Sequence, residues 1–257
     1  MKGSQIHRVP PVSVLTYHNI VACDRENPND THSISIKRLN EHIEALANAG
    51  FVQLSLADAF EIVVNVREHK SRPGYVLTFD DGYVSLSTYR NDIISPLRPT
   101  VFVITGYAGL STLSWNTRSS VVLNHLTADD ISKLHDCSFD IQLHGCDHHN
   151  LLKFDDDQLR MRFEEADRWF IRLLGKSAAY LSYPYGYCDA RIQKVVSEFY
   201  SGAVSISHGV WTGEAARYAL NRVSIPYYLT GSDVVTILRM MPDQRWLEIE
   251  KRAPWRI

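Results

Sequence analysis

The stretch Val76-Leu77-Thr78-Phe79-Asp80-Asp81-Gly82 is an apolar run that ends abruptly in two carboxylates and a glycine. A second apolar run, Phe139-Asp140-Ile141-Gln142-Leu143, ends in His144, and His148 follows four positions later. An acid pair and a histidine pair, each placed where a strand ends, suit a divalent metal ion with a spare carboxylate beside it. This combination indicates metal-assisted hydrolysis.

The composition excludes several classes of protein. With 257 residues and 45% hydrophobic content, the chain suits one large α/β domain, and we expect a single domain over residues 1–257. A net charge of −2 without a lysine/arginine block argues against nucleic acid and anionic membranes as partners. No apolar stretch reaches the roughly 20 residues of a transmembrane helix.

The cysteines and the first residues bear on localisation. Four cysteines are scattered without a C-x-x-C pair, which predicts reduced thiols rather than a disulfide framework; they are Cys23, Cys137, Cys146 and Cys188. The N-terminal residues contain no hydrophobic signal-peptide core. We therefore expect a cytoplasmic protein, with peripheral association with a membrane as the alternative.

Short β-rich runs alternate with longer amphipathic runs along the whole chain. The predicted strands are Val12–Tyr17, Phe51–Leu54, Tyr75–Phe79, Thr100–Ile104, Phe139–Leu143, Tyr180–Tyr183, Ala203–Ile206 and Arg222–Ile225. Most are continuously apolar, which is typical of parallel strands covered on both faces.

Apolar residues recur at helical spacing between these strands. The spacing predicts helices over 36–46 and 159–173, the second ending at Gly175, and further helices near 84–95, 189–199 and 232–240. Ser55 and Thr127 fit the N-cap positions of two more helices.

This alternation predicts an α/β barrel or a doubly wound sheet. The barrel is favoured because reactive residues follow the strands repeatedly, namely His18, Asp80-Asp81, His144, Pro184-Tyr185-Gly186 and His208. A closed ring of parallel strands brings all these strand ends to one mouth, whereas an open sheet would scatter some of them.

Two readings of each polar pair stay open at this point. Asp80-Asp81-Gly82 is either a solvated turn or a pair in which one carboxylate binds a metal and the other activates water. His144 and His148 have zinc-protease spacing, but Gly145 stands where those enzymes need glutamate. His149 competes as a ligand in the same loop, and Asp147 and Cys146 are weaker contenders.

Two histidines with one aspartate would leave positions for water and substrate, as in a catalytic metal site. This ligand set suits Zn²⁺ first, with Co²⁺, Mn²⁺, Fe²⁺ or Ni²⁺ as alternatives. Tyr183-Pro184-Tyr185-Gly186 is either an ordinary turn or a rigid one that aims the Tyr185 N–H into the mouth as an oxyanion donor.

Five segments together resemble the polysaccharide deacetylases, the carbohydrate esterase group (carbohydrate esterase family 4) with the NodB homology domain. They are Leu15-Thr16-Tyr17-His18-Asn19-Ile20, Thr78-Phe79-Asp80-Asp81-Gly82, Thr100-Val101-Phe102-Val103, His144-Gly145-Cys146-Asp147-His148-His149-Asn150-Leu151 and Tyr183-Pro184-Tyr185-Gly186. They fall in the family's order and cover roughly residues 10–226, which leaves a C-terminal helix and tail.

The resemblance implies a distorted (β/α)₇ barrel that removes N-acetyl groups from amino sugars with a bound divalent ion. By motif position, Asp80 resembles the catalytic base and Tyr185 the oxyanion donor. The residues that resemble the metal ligands are Asp81, His144 and His148. His149 is therefore no longer expected to be a ligand, because His148 holds the matching position.

The sequence departs from the family pattern in three places. Gly145 replaces a serine or threonine, and Ser182 stands where many members carry the arginine that holds the base. The general acid is not obvious; His208 is our candidate, with a lining or structural role expected for His18. Arg222 we assign to packing or to substrate contact.

The predicted function is therefore N-deacetylation of an amino sugar in a bacterial surface glycan or its precursor. One alternative is a deformylase or other small-acyl amidohydrolase on the same site. Another is a catalytically silent glycan-binding protein of the same fold. Trp115 and Trp211 could stack on sugar rings or belong to ordinary packing.

Overall fold

A single curved sheet of parallel strands organises the computed structural model, which describes residues 12–23, 32–64, 72–113, 121–206 and 217–240. The strands are β1 (Val12–Tyr17), β2 (Asn19–Val21), β3 (Ser33–Ser35), β4 (Val52–Gln53), β5 (Gly74–Phe79), β6 (Thr100–Val103), β7 (Ser111–Leu113), β8 (Val122–Asn124), β9 (Asp140–Leu143), β10 (Tyr180–Ser182), β11 (Gly202–Val204) and β12 (Val223–Ser224). The helices are α1 (Ile36–Asn48), α2 (Leu56–Val64), α3 (Ser85–Tyr89), α4 (Ala128–Asp136), α5 (Asp156–Leu174), α6 (Ala190–Val196) and α7 (Gly231–Met240).

The main sheet has the order β11-β10-β9-β6-β5-β1-β12, with β4 beside β5, and all its pairings are parallel. The segment 220–224 joins its two edges, because Leu220 pairs with Val204 of β11 while Val223 pairs with Leu15 of β1. The ring of seven strands is thus nearly closed, and the predicted distorted (β/α)₇ barrel is confirmed.

The central strands are apolar because both of their faces are covered. Every residue of β1 and of β5 is buried, and the two strands pair in register from Val12–Gly74 to Tyr17–Phe79. Burial on both faces is what a parallel strand under helices requires. It also brings the ends of neighbouring strands to the same edge, where the polar residues lie.

Helix boundaries follow the capping signals in the sequence. Ser55 accepts a hydrogen bond from the N–H of Asp58 at 3.0 Å, and Thr127 forms a capping box with Asp130. Gly175 ends α5 in the left-handed conformation, with φ of 71°. These predicted helix boundaries are confirmed.

The predicted helix over 84–95 is too long, since α3 covers only Ser85–Tyr89. The reason is a competing contact with α1. Asn40 donates to the Asp92 carbonyl at 2.8 Å and accepts from the Ile94 N–H at 3.2 Å, so these backbone groups are used outside a helix.

Two short strand pairs were not predicted: β2 with β3, which is parallel, and the antiparallel hairpin of β7 with β8. Each strand has three residues, too few for a periodic pattern to stand out. All four cysteines are free thiols. Within the described part of the chain, no helix is both long and apolar enough to cross a membrane.

Candidate metal centre

Three potential metal ligands meet where β5 and β9 end. Asp81, His144 and His148 are 2%, 2% and 6% exposed. One ligand atom from each lies within 4.8 Å of the others. The structure therefore brings together the three side chains that the sequence analysis singled out as ligands.

A left-handed turn directs the aspartates to this edge. Asp81 and Gly82 follow the strand with φ of 69° and 64°, and such a φ is uncommon outside glycine, although aspartate tolerates it better than most residues. The turn reverses the chain at once, so Asp80 and Asp81 are both buried at the mouth rather than on opposite faces of a strand.

The histidine orientations are fixed by the backbone. The Nδ1 of His144 lies 2.8 Å from the Ser182 carbonyl, which can only accept, so this nitrogen carries the proton and the Nε2 lone pair faces Asp81. His148 has a φ of 54°, which turns the loop back toward His144. The two rings lie 5.0 Å apart.

Gly145, one of the departures from the family pattern, has a local cause. Its φ is 78°, and a Cβ at this position would lie 3.2 Å from Cγ of Pro184. A serine or threonine would therefore be strained and would crowd the proline. Glycine lets the loop pass directly over the Pro184 turn.

The geometry fits a divalent cation. Asp81 Oδ1 lies 3.4 Å from His144 Nε2 and 3.5 Å from His148 Nε2. Ligand atoms about 2.1 Å from a tetrahedral ion are roughly 3.4 Å apart. Both Asp81 oxygens are buried and have no hydrogen-bond partner among the described residues, an arrangement that is costly for a carboxylate unless a cation is bound.

The electrostatics of the centre also favour a positive charge. Burial opposes the charged form of Asp81, but His144 and His148 outweigh burial and hold the pKa of this carboxyl far below its usual range. Burial lowers the pKa of His148 to about 3, so its imidazole is neutral and can act as a ligand. At His144 the nearby Asp80 and Asp81 overcome the effect of burial, and its pKa is raised.

Asp80 is held apart from the three ligands by Arg222, which is 1% exposed. Nη1 of Arg222 donates to Asp80 Oδ1 at 2.8 Å and to Thr78, and Nη2 donates to Asp80 Oδ2 at 2.6 Å and to the Ser182 hydroxyl. Its Nε donates to the Ser205 carbonyl at 2.9 Å. Every nitrogen of this buried guanidinium thus has a partner.

This arrangement corrects the sequence analysis on two points. An arginine beside Asp80 is not missing, and Arg222, which the sequence analysis assigned to packing or to substrate contact, instead pairs with Asp80. It comes from the segment leading into β12 instead of from the position of Ser182, and the Ser182 hydroxyl bridges the pair by donating to Asp80 at 3.2 Å. The sequence signal was an arginine at the start of an otherwise apolar strand run.

Arg222 also sets the charge of Asp80. Burial alone would raise the pKa of this carboxyl, but the guanidinium outweighs burial, and the pKa falls to about 2. Asp80 is therefore an ionised acceptor at neutral pH. Its Oδ2 lies 3.8 Å from His144 Nε2, next to the three ligands.

His18 lies at the mouth of the barrel, where the sequence analysis placed it. It follows β1, its ring stacks on His32 at 4.5 Å, and it interacts electrostatically with Asp80 and Asp81. Burial and the neighbouring His32 lower its pKa to about 4. The candidate acid of the sequence analysis, His208, lies outside the described residues, as do Trp115 and Trp211.

The Tyr185 turn lies against the loop that carries His148. Tyr185 has a φ of 59° within the 3₁₀ turn Pro184–Gly186, and its ring lies 4.5 Å from the His148 ring. Tyr185 and Tyr187 form a stacked aromatic pair, with ring centroids 6.5 Å apart, and are 42% and 55% exposed. An accessible aromatic surface thus adjoins the ligands.

His149 does not join the centre. Its side chain is 56% exposed and its Nδ1 lies 2.9 Å from Asp147, which is also held by Arg162. The Cys146 thiol donates to the Arg162 carbonyl at 3.1 Å, and burial raises its pKa to about 11. The weaker ligand candidates of the sequence analysis therefore form a separate cluster around Arg162; they are His149, Asp147 and Cys146.

A family of known proteins matches the part of the chain that carries the site. The family model described as "Polysaccharide deacetylase" matches residues 67–200, slightly more than half of the chain. This span contains Asp80, the three ligands and the Tyr185 turn. A search of curated proteins finds no match.

Several solved structures share the fold at low sequence identity. The deacetylase PplD of Streptococcus pyogenes, in complex with acetate, matches with a TM-score of 0.71 and 17% identity, covering 88% of this chain and 97% of its own. A de-N-acetylase of Aggregatibacter actinomycetemcomitans matches with a TM-score of 0.72 and 16% identity over 88% and 99% of the two chains. IcaB of Ammonifex degensii matches with a TM-score of 0.70 and 18% identity, covering 90% of this chain and 96% of its own.

Proposed function

The chain belongs to the polysaccharide deacetylase family, and we propose that it is a metal-dependent hydrolase that removes the N-acetyl group of an amino sugar. The substrate class we propose is a bacterial surface glycan or its precursor. The observation that carries the proposal is the buried Asp81, His144 and His148 cluster beside Asp80, a carboxylate paired with Arg222 rather than shared among the ligands.

Asp81, His144 and His148 would hold the divalent ion, with Zn²⁺ our first choice. Bound there, the ion supplies a Lewis acid and lowers the pKa of a water molecule toward about 7. Asp80 would accept the proton of the water molecule that attacks the amide carbonyl. Arg222 keeps the Asp80 carboxylate ionised. It also fixes the plane of the carboxylate, because two guanidinium nitrogens each donate a hydrogen bond to a different carboxylate oxygen.

The remaining steps need a donor for the oxyanion and one for the leaving amine. The Tyr185 N–H donates to the carbonyl oxygen as that oxygen gains negative charge. When the C–N bond breaks, the nitrogen takes up a proton and leaves as a free amine, and the acetyl group leaves as acetate. For the proton donor we keep His208 as the first candidate, because the lowered pKa of His18 leaves its ring neutral at pH 7; His18, which interacts electrostatically with both aspartates, is the second candidate.

Carbohydrate recognition is supported by the aromatic pair. Sugar rings present apolar C–H faces that pack on exposed aromatic rings. Tyr185 touches the His148 ring, and Tyr187 extends the accessible aromatic surface outward. A sugar lying on this pair would place its N-acetyl group next to the three ligands.

A catalytically silent binding protein is a weaker proposal. Its main support in the sequence was the apparent loss of the arginine beside the base. Arg222 fills that role, and it does so with a buried ion pair that glycan binding alone does not require. The Asp80–Arg222 pair therefore favours turnover.

The test is acetate release by purified, metal-loaded protein. The protein is loaded in turn with Zn²⁺, Co²⁺, Mn²⁺, Fe²⁺ and Ni²⁺ and offered N-acetylated and N-formylated amino sugars as monomers and oligomers. We expect acetate and free amine in equal amounts from an N-acetylated substrate. The control is Asp80→Asn, which should bind the same amount of metal and turn over on the order of 100-fold more slowly.

Glycan binding without any product from the wild-type protein would favour the silent binder. Formate as the preferred product would favour a deformylase on the same site.

A further inference from the structure

The hairpin of β7 and β8 is anchored on the turn that carries the metal-binding aspartate. The N–H of Leu126 donates to the Gly82 carbonyl at 2.8 Å, and the N–H of Val84 donates to the Asn124 carbonyl at 2.8 Å. Tyr83 pairs with His125 in an antiparallel bridge. The end of β8 thus runs alongside the turn from Asp81 to Val84.

His125, which follows β8, makes a direct contact with Asp81. It is 4% exposed, and its Nδ1 lies 2.8 Å from the Asp81 carbonyl oxygen. Because a carbonyl only accepts, Nδ1 carries the proton and donates. The other ring nitrogen, Nε2, lies 2.9 Å from the Thr112 hydroxyl of β7, so each nitrogen has a partner.

The His125 ring has little freedom. Its centroid lies 4.9 Å from that of Tyr83 and 5.5 Å from that of Tyr107. Burial lowers its pKa, which is consistent with a neutral ring that donates through Nδ1 and accepts from the threonine. The histidine is therefore a fixed donor aimed at one backbone oxygen.

Asp81 needs such an anchor. Its backbone is in the left-handed conformation, with φ of 69°, which is strained for a residue other than glycine. Neither of its carboxylate oxygens has a hydrogen bond among the described residues, so the direction of its side chain depends on the backbone that carries it. If the Asp81 peptide rotated, the carboxylate would turn away from His144 and His148.

We propose that His125 is a positioning residue for the metal centre. It holds the Asp81 carbonyl through Nδ1–H, and so keeps the Asp81 carboxylate directed at His144 and His148. This inference rests on the proposed metal-dependent function, since it concerns the preorganisation of the same ligands. Residues that orient metal ligands typically change metal affinity about 10- to 100-fold when they are removed.

The experiment measures the Zn²⁺ dissociation constant by competition with a chromogenic chelator, together with the melting temperature of the metal-free protein. His125→Asn keeps an amide donor near the Nδ1 position, whereas His125→Leu and His125→Gln lose it there. Thr112→Val is the matched control, because it removes only the partner of Nε2. We expect about 10-fold or weaker Zn²⁺ binding for the leucine and glutamine variants. The asparagine and valine variants should stay close to wild type.

Three results would overturn the inference. The first is wild-type Zn²⁺ affinity in both His125→Leu and His125→Gln. The second is equal loss in His125→Asn and His125→Gln at similar melting temperatures, because the donor would then be irrelevant. The third is a loss in Thr112→Val as large as in His125→Gln. Failure of the wild-type protein to bind Zn²⁺ is a separate result that would refute the proposed function itself. If His125→Leu does not fold, the asparagine and glutamine pair still decides the question.

Discussion

Arg222 and Asp80 form a two-point ion pair in the interior of the barrel, with nitrogen–oxygen distances of 2.8 and 2.6 Å. The pair joins the segment that closes the sheet to the end of β5. Both side chains are almost completely buried. Neither charge can therefore be removed without leaving the other unpaired in an environment of low polarity.

Arg222→Met tests the energetic importance of this pair. We expect the free energy of unfolding at pH 7 to fall by about 3–5 kcal/mol, because a buried carboxylate loses its partner. Urea denaturation of the metal-free protein measures the change. In the double variant Asp80→Asn/Arg222→Met, part of the loss should be recovered; simple additivity of the two single changes would contradict a direct pair.

The ligand assignment predicts opposite outcomes for two histidines of one loop. His144→Ala should abolish stoichiometric Zn²⁺ binding, because it removes one of three ligands. His149→Ala should bind Zn²⁺ like wild type, since that side chain is exposed and paired with Asp147. Elemental analysis after dialysis measures both. Unchanged metal content in His144→Ala would refute the assignment.

The proton donor is tested by comparing His18→Ala with His208→Ala. If His208 donates to the leaving amine, its alanine variant should lose about 100-fold in kcat while metal content stays the same. His18→Ala should then remain within a few-fold of wild type. The reverse order of effects would assign the role to His18. A leaving group that needs no protonation, such as an activated ester, should restore the rate of the true acid variant.

Tyr187 is expected to contribute to substrate binding without taking part in the chemistry. Tyr187→Ala should raise KM for an N-acetylated oligosaccharide roughly 2- to 10-fold, the range expected from loss of one aromatic contact. The kcat value and the metal content should not change, and Tyr187→Phe should behave like wild type. An unchanged KM in the alanine variant would show that the pair does not contact the glycan.

His42 should make stability depend on pH. It is fully buried on α1, its Nε2 donates to the Leu229 carbonyl at 2.7 Å, and its Nδ1 accepts from the Tyr17 hydroxyl at 3.0 Å. Burial, aided by the positive charge of Arg38, outweighs the hydrogen bond to Leu229 and the negative charges of Glu41 and Asp233, so the pKa of His42 is lowered from 6.5. The neutral ring is the form that the fold accommodates.

The sign follows from linkage. Because the folded pKa lies below that of the unfolded chain, the stabilisation is present above about pH 6.5 and is lost as the pH falls through the folded pKa, by up to about 1.4 kcal/mol per pH unit. His42→Gln should remove this component. The measurement is the difference in unfolding free energy between pH 7.5 and 5.5 for both proteins; equal differences would contradict the prediction.

Much of the fold could be predicted from the sequence because the main strands are continuous apolar runs. The predicted strand Val12–Tyr17 matches β1, and the other strands of the main sheet shift by a few residues at most. The candidate ligands were also predictable, since Asp81 and His144 lie just after strand ends and His148 follows His144 four positions later. What spacing along the chain cannot reveal is which distant residues meet.

Arg222 and His125 illustrate that limit. Arg222 reaches Asp80 only because the segment from 220 to 224 lies between β11 and β1, a closure that no local pattern encodes. His125 reaches Asp81 through a hairpin whose strands are three residues long. In both cases the residue type was visible in the sequence, but its partner was determined by tertiary packing.

The late position of the closing segment has a consequence for synthesis on the ribosome. All three candidate ligands have been translated by residue 148, whereas the guanidinium that neutralises Asp80 is translated only at residue 222. In a growing chain, Asp81, His144 and His148 can therefore come together while Asp80 still lacks the positive charge of Arg222. Pairing of the segment 220–224 with β11 and β1 is then the step at which Asp80 gains its counter-charge.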